Sequence, residues 1–269
     1  MTVKMIAVDM DGTFLNSSND YNRSLFAGLY EKMRRSNVRF VVASGNQYYQ
    51  LKSFFPDIEN EISFVAENGA FIVSEGKEID HARMDYKTVH DILDILKAFD
   101  SVHIILCGKE SAYVNELEPE SFIKHGSKYY YRLKKVTDLY AINHDAILKF
   151  ALNCPIEQTD EILSRLTDAV GDRVTPVSSG HGDIDLIMPG VHKANGLKKL
   201  QALWNIDAKD VAAFGDGGND IEMLKHAGYS FAVENASENV KRIAGQIVPS
   251  NNDGGVLQTI ASLLLHYDR

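Results

Sequence analysis

Short, nearly continuous apolar runs recur along the chain, each closed by a polar turn and followed by apolar residues at helical spacing. Met5-Ile6-Ala7-Val8 is the first, Arg39-Phe40-Val41-Val42-Ala43 the second and Ser63-Phe64-Val65-Ala66 the third. Runs without alternation predict strands buried on both faces, and the helical spacing between them predicts crossovers. The pattern therefore describes an α/β fold with a Rossmann-like parallel sheet. Helices are predicted over Asn22 to Ser36 and from Asn46 through Phe54, and Phe71-Ile72-Val73 predicts a hairpin. The same rhythm returns late in the chain, with strands at Asp210 to Phe214, Ser230 to Val233 and Ile247-Val248, then a helix over Gly255 to Leu265.

Between about Met84 and Met188 the pattern changes. Hairpin-like strands are predicted at Val102 to Leu106, Ala112 to Val114, Ile147 to Leu152, Val174 to Val177 and Ile184 to Ile187. Helices over Lys87 to Phe99 and Glu157 to Ala169 are interleaved with them. The expected organisation is a discontinuous core, residues 1–83 and 189–269, carrying an inserted α/β unit over residues 84–188. No internal repeat or low-complexity tract interrupts it.

Composition narrows the classes. A chain of 269 residues with 45% hydrophobic content can bury a large core or two smaller ones. No stretch reaches the length of a membrane span, and the apolar run behind Met1 is short for a signal peptide, so a cytoplasmic location is expected. A net charge of -9 argues against nucleic acid or anionic lipid as the main partner and leaves a small anionic substrate open. Cys107 and Cys154 lack metal-ligand spacing and read as buried thiols. The sequence leaves the oligomeric state undetermined.

Chemistry concentrates where strands end, the place where open parallel sheets bind ligands. Asp9-Met10-Asp11-Gly12-Thr13 follows the first strand. In an extended segment residues i and i+2 point the same way, so Asp9 and Asp11 aim at one small volume. Such a pair implies a Mg2+ site, a shifted pKa or both, with a polar Asp-Gly turn as the plain alternative. A calcium loop starting at Asp9 fails, since its glycine position holds Phe14 and its glutamate position Asp20. After the second strand, Ser44 and Gly45 offer a hydroxyl and an open backbone N–H near a helix start, which suits either a phosphate oxygen or a simple N-cap. Lys193 opens a later helix, where a lone lysine ordinarily stays solvated. Gly215-Asp216-Gly217-Gly218-Asn219-Asp220 is a loop whose glycines let acids approach a ligand closely, or merely a polar connection.

Taken together and in this order, the four segments resemble the successive motifs of the haloacid dehalogenase superfamily of phosphohydrolases. The insertion after the second motif resembles the α/β cap of its Cof-type members. Ala43 to Leu51, Phe64 to Ala70, Ser111 to Val114 and Val191 to Gly196 are similar to SupH-type bacterial sugar phosphatases in particular. The second motif departs from the Thr-Gly-Arg of many Cof-type proteins: Asn46 stands where a guanidinium is common, which shifts charge neutralisation toward Mg2+ and Lys193.

The resemblance implies hydrolysis of small phosphorylated metabolites, chiefly sugar phosphates, through an aspartyl-phosphate. It implies Asp9 as nucleophile and Asp11 as acid and then base. It implies Mg2+ held by Asp9, the Asp11 carbonyl and Asp216, with Asp220 behind them. Phosphate contacts then fall to the backbone near Met10 and Gly45, the Ser44 hydroxyl, Lys193 and Asn219. Glu67-Asn68-Gly69 is expected either near the site entrance or as a simple turn. Hinges are expected at His81 to Met84 and Pro189 to Val191. His181 and Asp183 are candidate contacts to sugar hydroxyls, or the tip of a solvated hairpin. A phosphomutase shares the aspartyl-phosphate, and a phospho-Asp signalling module shares the acidic pocket, so both stand as alternatives.

Overall fold

The computed structural model describes residues 2–180 and 182–267. His181, one of the two hairpin residues singled out above, lies outside them. The first part of the chain forms β1 (Met5–Val8), α1 (Arg23–Arg35), β2 (Arg39–Ala43), α2 (Tyr48–Leu51), β3 (Ser63–Ala66), β4 (Phe71–Ser74) and β5 (Lys77–His81). The middle part forms α3 (Tyr86–Leu96), β6 (His103–Gly108), β7 (Ala112–Asn115), α4 (Glu120–Gly126), β8 (Leu133–Val136), β9 (Ile147–Asn153), α5 (Thr159–Val170), β10 (Thr175–Gly180) and β11 (Asp183–Ile187). The last part forms α6 (Lys193–Trp204), β12 (Val211–Gly215), α7 (Ile221–His226), β13 (Tyr229–Val233), α8 (Glu238–Ile243), β14 (Gln246–Val248) and α9 (Gly255–Leu264).

Among the described residues the first and last parts share one eight-stranded sheet, ordered β14-β13-β12-β1-β2-β3-β4-β5. It is parallel from β14 through β3 and antiparallel at β4 and β5. β1 lies near its middle with β12 and β2 on either side, and its four residues are fully buried, which is why that segment reads as an unbroken apolar run. The order also sets the ends of β1, β2 and β12 side by side.

The middle part forms a six-stranded sheet ordered β10-β11-β9-β6-β7-β8, antiparallel except between β7 and β8. Its two faces differ. Phe150 and Leu152 of β9 and Ile184 and Leu186 of β11 pack in one core with Val89, Ile92, Ile162 and Leu166 of α3 and α5. With a period of two, Lys149, Ala151 and Asn153, and likewise Asp183 and Asp185, face the opposite way, toward the strand ends of the first sheet. This second face is polar because it roofs a cavity rather than a core.

The helices follow local signals. The Asn22 side chain accepts from Leu25 N–H at 3.0 Å to cap α1, and Asp85 accepts from Thr88 N–H at 2.9 Å to cap α3. Five elements lie outside the predicted set, among them α7 and α8, each only 6 residues long. β5 (Lys-Glu-Ile-Asp-His) and β8 (Leu-Lys-Lys-Val) are edge strands too polar to show an apolar run, and α4 is only 7 residues long behind Pro119. α3 stops at Leu96, short of the predicted Phe99, and β10 runs on to Gly180, past the predicted Val177. Both cysteines are buried free thiols. No helix among the described residues is long and apolar enough to cross a membrane.

Candidate active site

After β1 the chain turns through Met10–Phe14 in a wide helical turn, with Phe14 N–H on the Asp9 carbonyl and Leu15 N–H on that of Met10. Gly12 makes the turn possible. Its φ is +72°, and a Cβ there would sit 2.6 Å from Asp216 Oδ2. Thr13 Oγ1 donates to Asp216 Oδ1 at 2.7 Å, so the first motif grips the loop after β12 directly.

Lys193, at the first turn of α6, is wholly buried, not solvated as a lone helix-start lysine would be. Its Nζ lies 2.6 Å from Asp9 Oδ1 and 2.7 Å from Asp220 Oδ1. The other oxygen of Asp220 accepts from the backbone N–H groups of Asp216 and Gly217, at 2.9 and 3.0 Å. Asp220 is thus fully engaged in holding the lysine and the loop. Oxygens of Asp9, Asp216 and Asp220 all lie within 4.8 Å of one another. Three carboxylates against one ammonium leave a charge of about -2, which a divalent cation balances. The acids register that excess. Burial, then the charge of Asp220, pushes Asp9 well above the ordinary carboxylate range against the pull of Lys193. The same two causes push Asp216 up to about 6.

Asp11 stands apart from this cluster. Its Oδ2 accepts from Asn46 Nδ2 at 2.6 Å, and burial raises its pKa while the Asn46 hydrogen bond works the other way. The carboxyl holds a proton more readily than a free aspartate, while its amide partner keeps it ionisable. Asn46 therefore touches the acid itself, a contact that its replacement of a guanidinium did not disclose.

Ser44 closes β2 with its N–H on the Val65 carbonyl at 3.0 Å. Its hydroxyl accepts from Asn46 N–H at 3.1 Å, and α2 starts only at Tyr48. Ser44 is therefore no helix cap; a tight turn, not a helix terminus, presents it and Gly45 to the cavity. Asn219 Nδ2 donates to Asn68 Oδ1 at 3.1 Å. Glu67 and Asn68 are each only 1% exposed, which places the Glu67-Asn68-Gly69 turn beneath the second sheet rather than at the entrance. Gly69 is fixed there by crowding: its φ is +97°, and a Cβ would lie 2.6 Å from the His192 carbonyl oxygen.

Asp9, Asp11, Ser44, Gly45, Asp216 and Asn219 share a cavity of about 500 Å³ between the strand ends and the inserted sheet. Met10 is buried beneath it, as are Lys193 and Asp220. From above come Phe122 and His125 of α4, the following Tyr129 and Tyr130, and Lys149, Asn153, Asp183 and Asp185 of the strands. Tyr129 lines the same cavity as Asp11, and burial, then the charges of Asp11 and Asp183, raise its hydroxyl pKa. Of these, sequence reasoning had reached only Asp183. The signal for Lys149 and Asp185 was a charge inside an apolar run, Ile147 to Leu152 and Ile184 to Ile187. A carboxylate pair, a buried ammonium and open N–H groups around one cavity can take a phosphate monoester and transfer its phosphoryl group.

Comparison with known proteins agrees with that chemistry. A family model of haloacid dehalogenase-like hydrolases matches residues 6–260. The 5-amino-6-(5-phospho-D-ribitylamino)uracil phosphatase YbjI of Escherichia coli (strain K12) is 48% identical over 266 residues, 99% of this chain and 98% of that protein. YitU of Bacillus subtilis (strain 168), a phosphatase of the same description, is 25% identical over 286 residues, 94% of each chain. The crystal structure of SMU.1108c from Streptococcus mutans UA159 superposes with a TM-score of 0.93 at 36% identity, covering 98% of this chain and 99% of that one. Family match, end-to-end relatives and the carboxylate-lined cavity agree, and the chain belongs to the haloacid dehalogenase-like hydrolases as a phosphatase with an inserted cap.

Proposed function

We propose that the protein is a Mg2+-dependent phosphohydrolase of small phosphorylated metabolites, chiefly sugar and polyol phosphates, working through an aspartyl-phosphate. The observation that carries this reading is the division of labour between two acids on one turn: Asp9 bound to a buried ammonium, Asp11 bound to an amide. A nucleophile must stay ionised; burial and the charge of Asp220 oppose that form of Asp9, Lys193 favours it, and a cation bound beside it would favour it further. A leaving-group acid must hold a proton, and burial favours that form of Asp11.

In the first step a carboxylate oxygen of Asp9 bonds to phosphorus as the ester P–O bond breaks, and Asp11 gives its proton to the departing alkoxide. Asp11, now ionised, then takes a proton from the water that attacks the acyl phosphate, which releases phosphate and restores Asp9. Lys193 offsets charge near the phosphoryl group, and Gly45 N–H, the backbone near Met10, the Ser44 hydroxyl and Asn219 bind its oxygens. Asp9 and Asp216, with the Asp11 carbonyl, are the residues that would hold Mg2+, and Asp220 keeps their loop in place. The bound ion would supply positive charge against the phosphoryl oxygens and lower the pKa of its own carboxylate ligands. Residues 1–83 and 189–269 act as the catalytic core in this reading, and residues 84–188 act as the cap that chooses the leaving group.

For the substrate, the 48% identity to YbjI makes 5-amino-6-(5-phospho-D-ribitylamino)uracil the first compound to try. The cavity suits a small phosphorylated polyol: Asn153, Asp183 and Asp185 offer hydrogen bonds along one side, and Phe122 and Tyr129 offer an apolar wall. A polymer would have to thread beneath the inserted sheet. A panel of phosphate esters with Mg2+, scored by kcat/KM with product analysis, tests this. Sugar or ribityl phosphates should lead and yield inorganic phosphate. An isomeric phosphosugar as product would indicate a mutase, and preference for a phosphoprotein would reject the assignment. Asp216→Ala should raise the Mg2+ concentration for half-maximal rate by about 10- to 100-fold, the scale for disturbing a metal's support. An unchanged Mg2+ titration would remove Asp216 from the ion's site.

A further inference from the structure

Lys149 belongs to β9 of the inserted sheet, yet its ammonium is spent on the catalytic part of the chain. It is 1% exposed, donates to the Gly45 carbonyl at 2.7 Å, and pairs with Asp185 Oδ1 at 2.8 Å and Glu67 Oε2 at 3.5 Å. An ammonium has three N–H donors, and three partners already surround this one. Glu67, at 3.5 Å, is an ion-pair partner whose oxygens accept no hydrogen bond, so the close contacts of Lys149 are to Asp185 and to Gly45, and Gly45 is its direct tie to the phosphate-binding turn. Asp185 continues the chain: its second oxygen accepts from Asn68 Nδ2, and Asn68 Oδ1 accepts from Asn219. Both routes from the cap end on groups assigned above to the phosphate oxygens. Gly45 also packs closely against both groups, since a Cβ on it would lie 3.2 Å from Asn68 Oδ1 and Asp185 Oδ2.

We infer that Lys149, with Asp185, is a positioning residue: the closed cap sets the phosphate-binding turn at Ser44-Gly45 and the Asn219 amide in register, so phosphate is gripped fully only under a closed cap. This rests on the phosphatase reading and on Gly45 and Asn219 as phosphate contacts. Charge balance supports it. Burial pushes the Glu67 carboxyl up to about 7 against the pull of Lys149, so near neutral pH Asp185 supplies most of the counter-charge and the latch closes with little net charge buried. With the cap lifted, the Gly45 carbonyl loses its donor, Asn68 loses its acceptor, and turn and amide are free to drift.

The test compares Lys149→Met, Lys149→Arg and Asp185→Asn in the full-length protein, measuring KM and kcat for a small phosphate ester, inhibition by inorganic phosphate, and the Mg2+ titration. Lys149→Met should weaken inorganic phosphate and raise KM by about 10- to 100-fold, the scale of losing a hydrogen bond to a charged group. Its Mg2+ titration should stay within about twofold of wild type, because the acid cluster lies elsewhere, and Lys149→Arg should recover part of the loss. A folded Lys149→Met with unchanged phosphate inhibition, or an arginine variant no better than the methionine one, would overturn the proposal. If Lys149→Met does not fold, Asp185→Asn decides: it keeps an acceptor for Asn68 but removes the charge facing Lys149, so phosphate inhibition should weaken, and an unchanged value overturns the proposal. A wild type that binds phosphate but hydrolyses no sugar phosphate refutes the substrate assignment and leaves this coupling standing.

Discussion

Asp9→Asn is expected to reduce turnover to background, a loss on the order of 10⁶-fold as for removal of other covalent nucleophiles, while the protein stays folded. The chemistry is direct, since an amide neither attacks phosphorus at a useful rate nor serves well as a ligand for a hard cation. The fold should survive for an electrostatic reason. Asp9, Asp216 and Asp220 crowd within 4.8 Å around one ammonium, and Lys193 keeps Asp220 at 2.7 Å after the change. Removing one of three crowded charges relieves repulsion, so without Mg2+ the variant should melt at or above the wild-type temperature. The pH dependence follows. Asp9 and Asp216 have folded-state pKa values raised above the ordinary Asp value near 4. Their ionisation therefore costs stability, which is intact below pH 4 and lost as pH rises through the folded pKa, about 6 for Asp216. The stabilising effect of Asp9→Asn in metal-free protein should accordingly be larger at pH 8 than at pH 5. Thermal melts with a chelator at both values, beside a phosphate-release assay with Mg2+, check it. Measurable turnover in purified Asp9→Asn would remove Asp9 as the nucleophile.

What the text of the chain made legible was set by how many faces each segment buries. β1 and β2 lie inside a parallel sheet and read as solid apolar runs, and the two acids after β1 inherit their direction from that strand. The inserted sheet is harder to read because one face packs on α3 and α5 while the other faces a cavity. Ile147 to Leu152 looks like a core strand, and Lys149 looks like its interruption. Only the register of β9 against β11, which pairs Lys149 with Ile187 and Ala151 with Asp185, shows that charged side chains of both strands share the cavity face. α4 escapes detection because 7 residues give too short a window for periodicity, although Phe122 and His125 line the cavity. The helix-cap alternative for Ser44 falls for a different reason. A Ser-Gly before a helical pattern looks like a helix start, whereas here the turn intervenes and Ser44 bonds within it. Long-range partners such as Asn46 with Asp11, or Thr13 with Asp216, follow from strand order, which single-chain patterns do not encode.

Lys193→Met should fail in two separable ways. The ammonium contacts charge in the ground state and in the transition state, so KM should rise and kcat fall together, with kcat/KM down by about 10³-fold, the upper range for one preorganised donor. Burial opposes the lysine's charge, but Asp220 and Asp9 outweigh it and hold its pKa above the usual lysine value, so the charge is present at every working pH. Methionine fills much of the space and leaves the acids without a counter-charge. Breaking a buried pair in this way costs on the order of 3 kcal/mol. The acids can recover part of that by taking up protons, so the deficit should be small near pH 5 and full at pH 8, the direction required by acids whose pKa is raised on folding. Added Mg2+ should restore stability at pH 8, because a dication neutralises the same cluster, yet it should leave most of the rate unrecovered, because it does not replace a donor to the phosphoryl oxygens. Melting curves with and without Mg2+ at the two pH values separate these effects from the kinetics. A Lys193→Met protein with wild-type kcat/KM would refute the assigned role, and a melting temperature insensitive to pH and Mg2+ would show that the ammonium is not what balances Asp9 and Asp220.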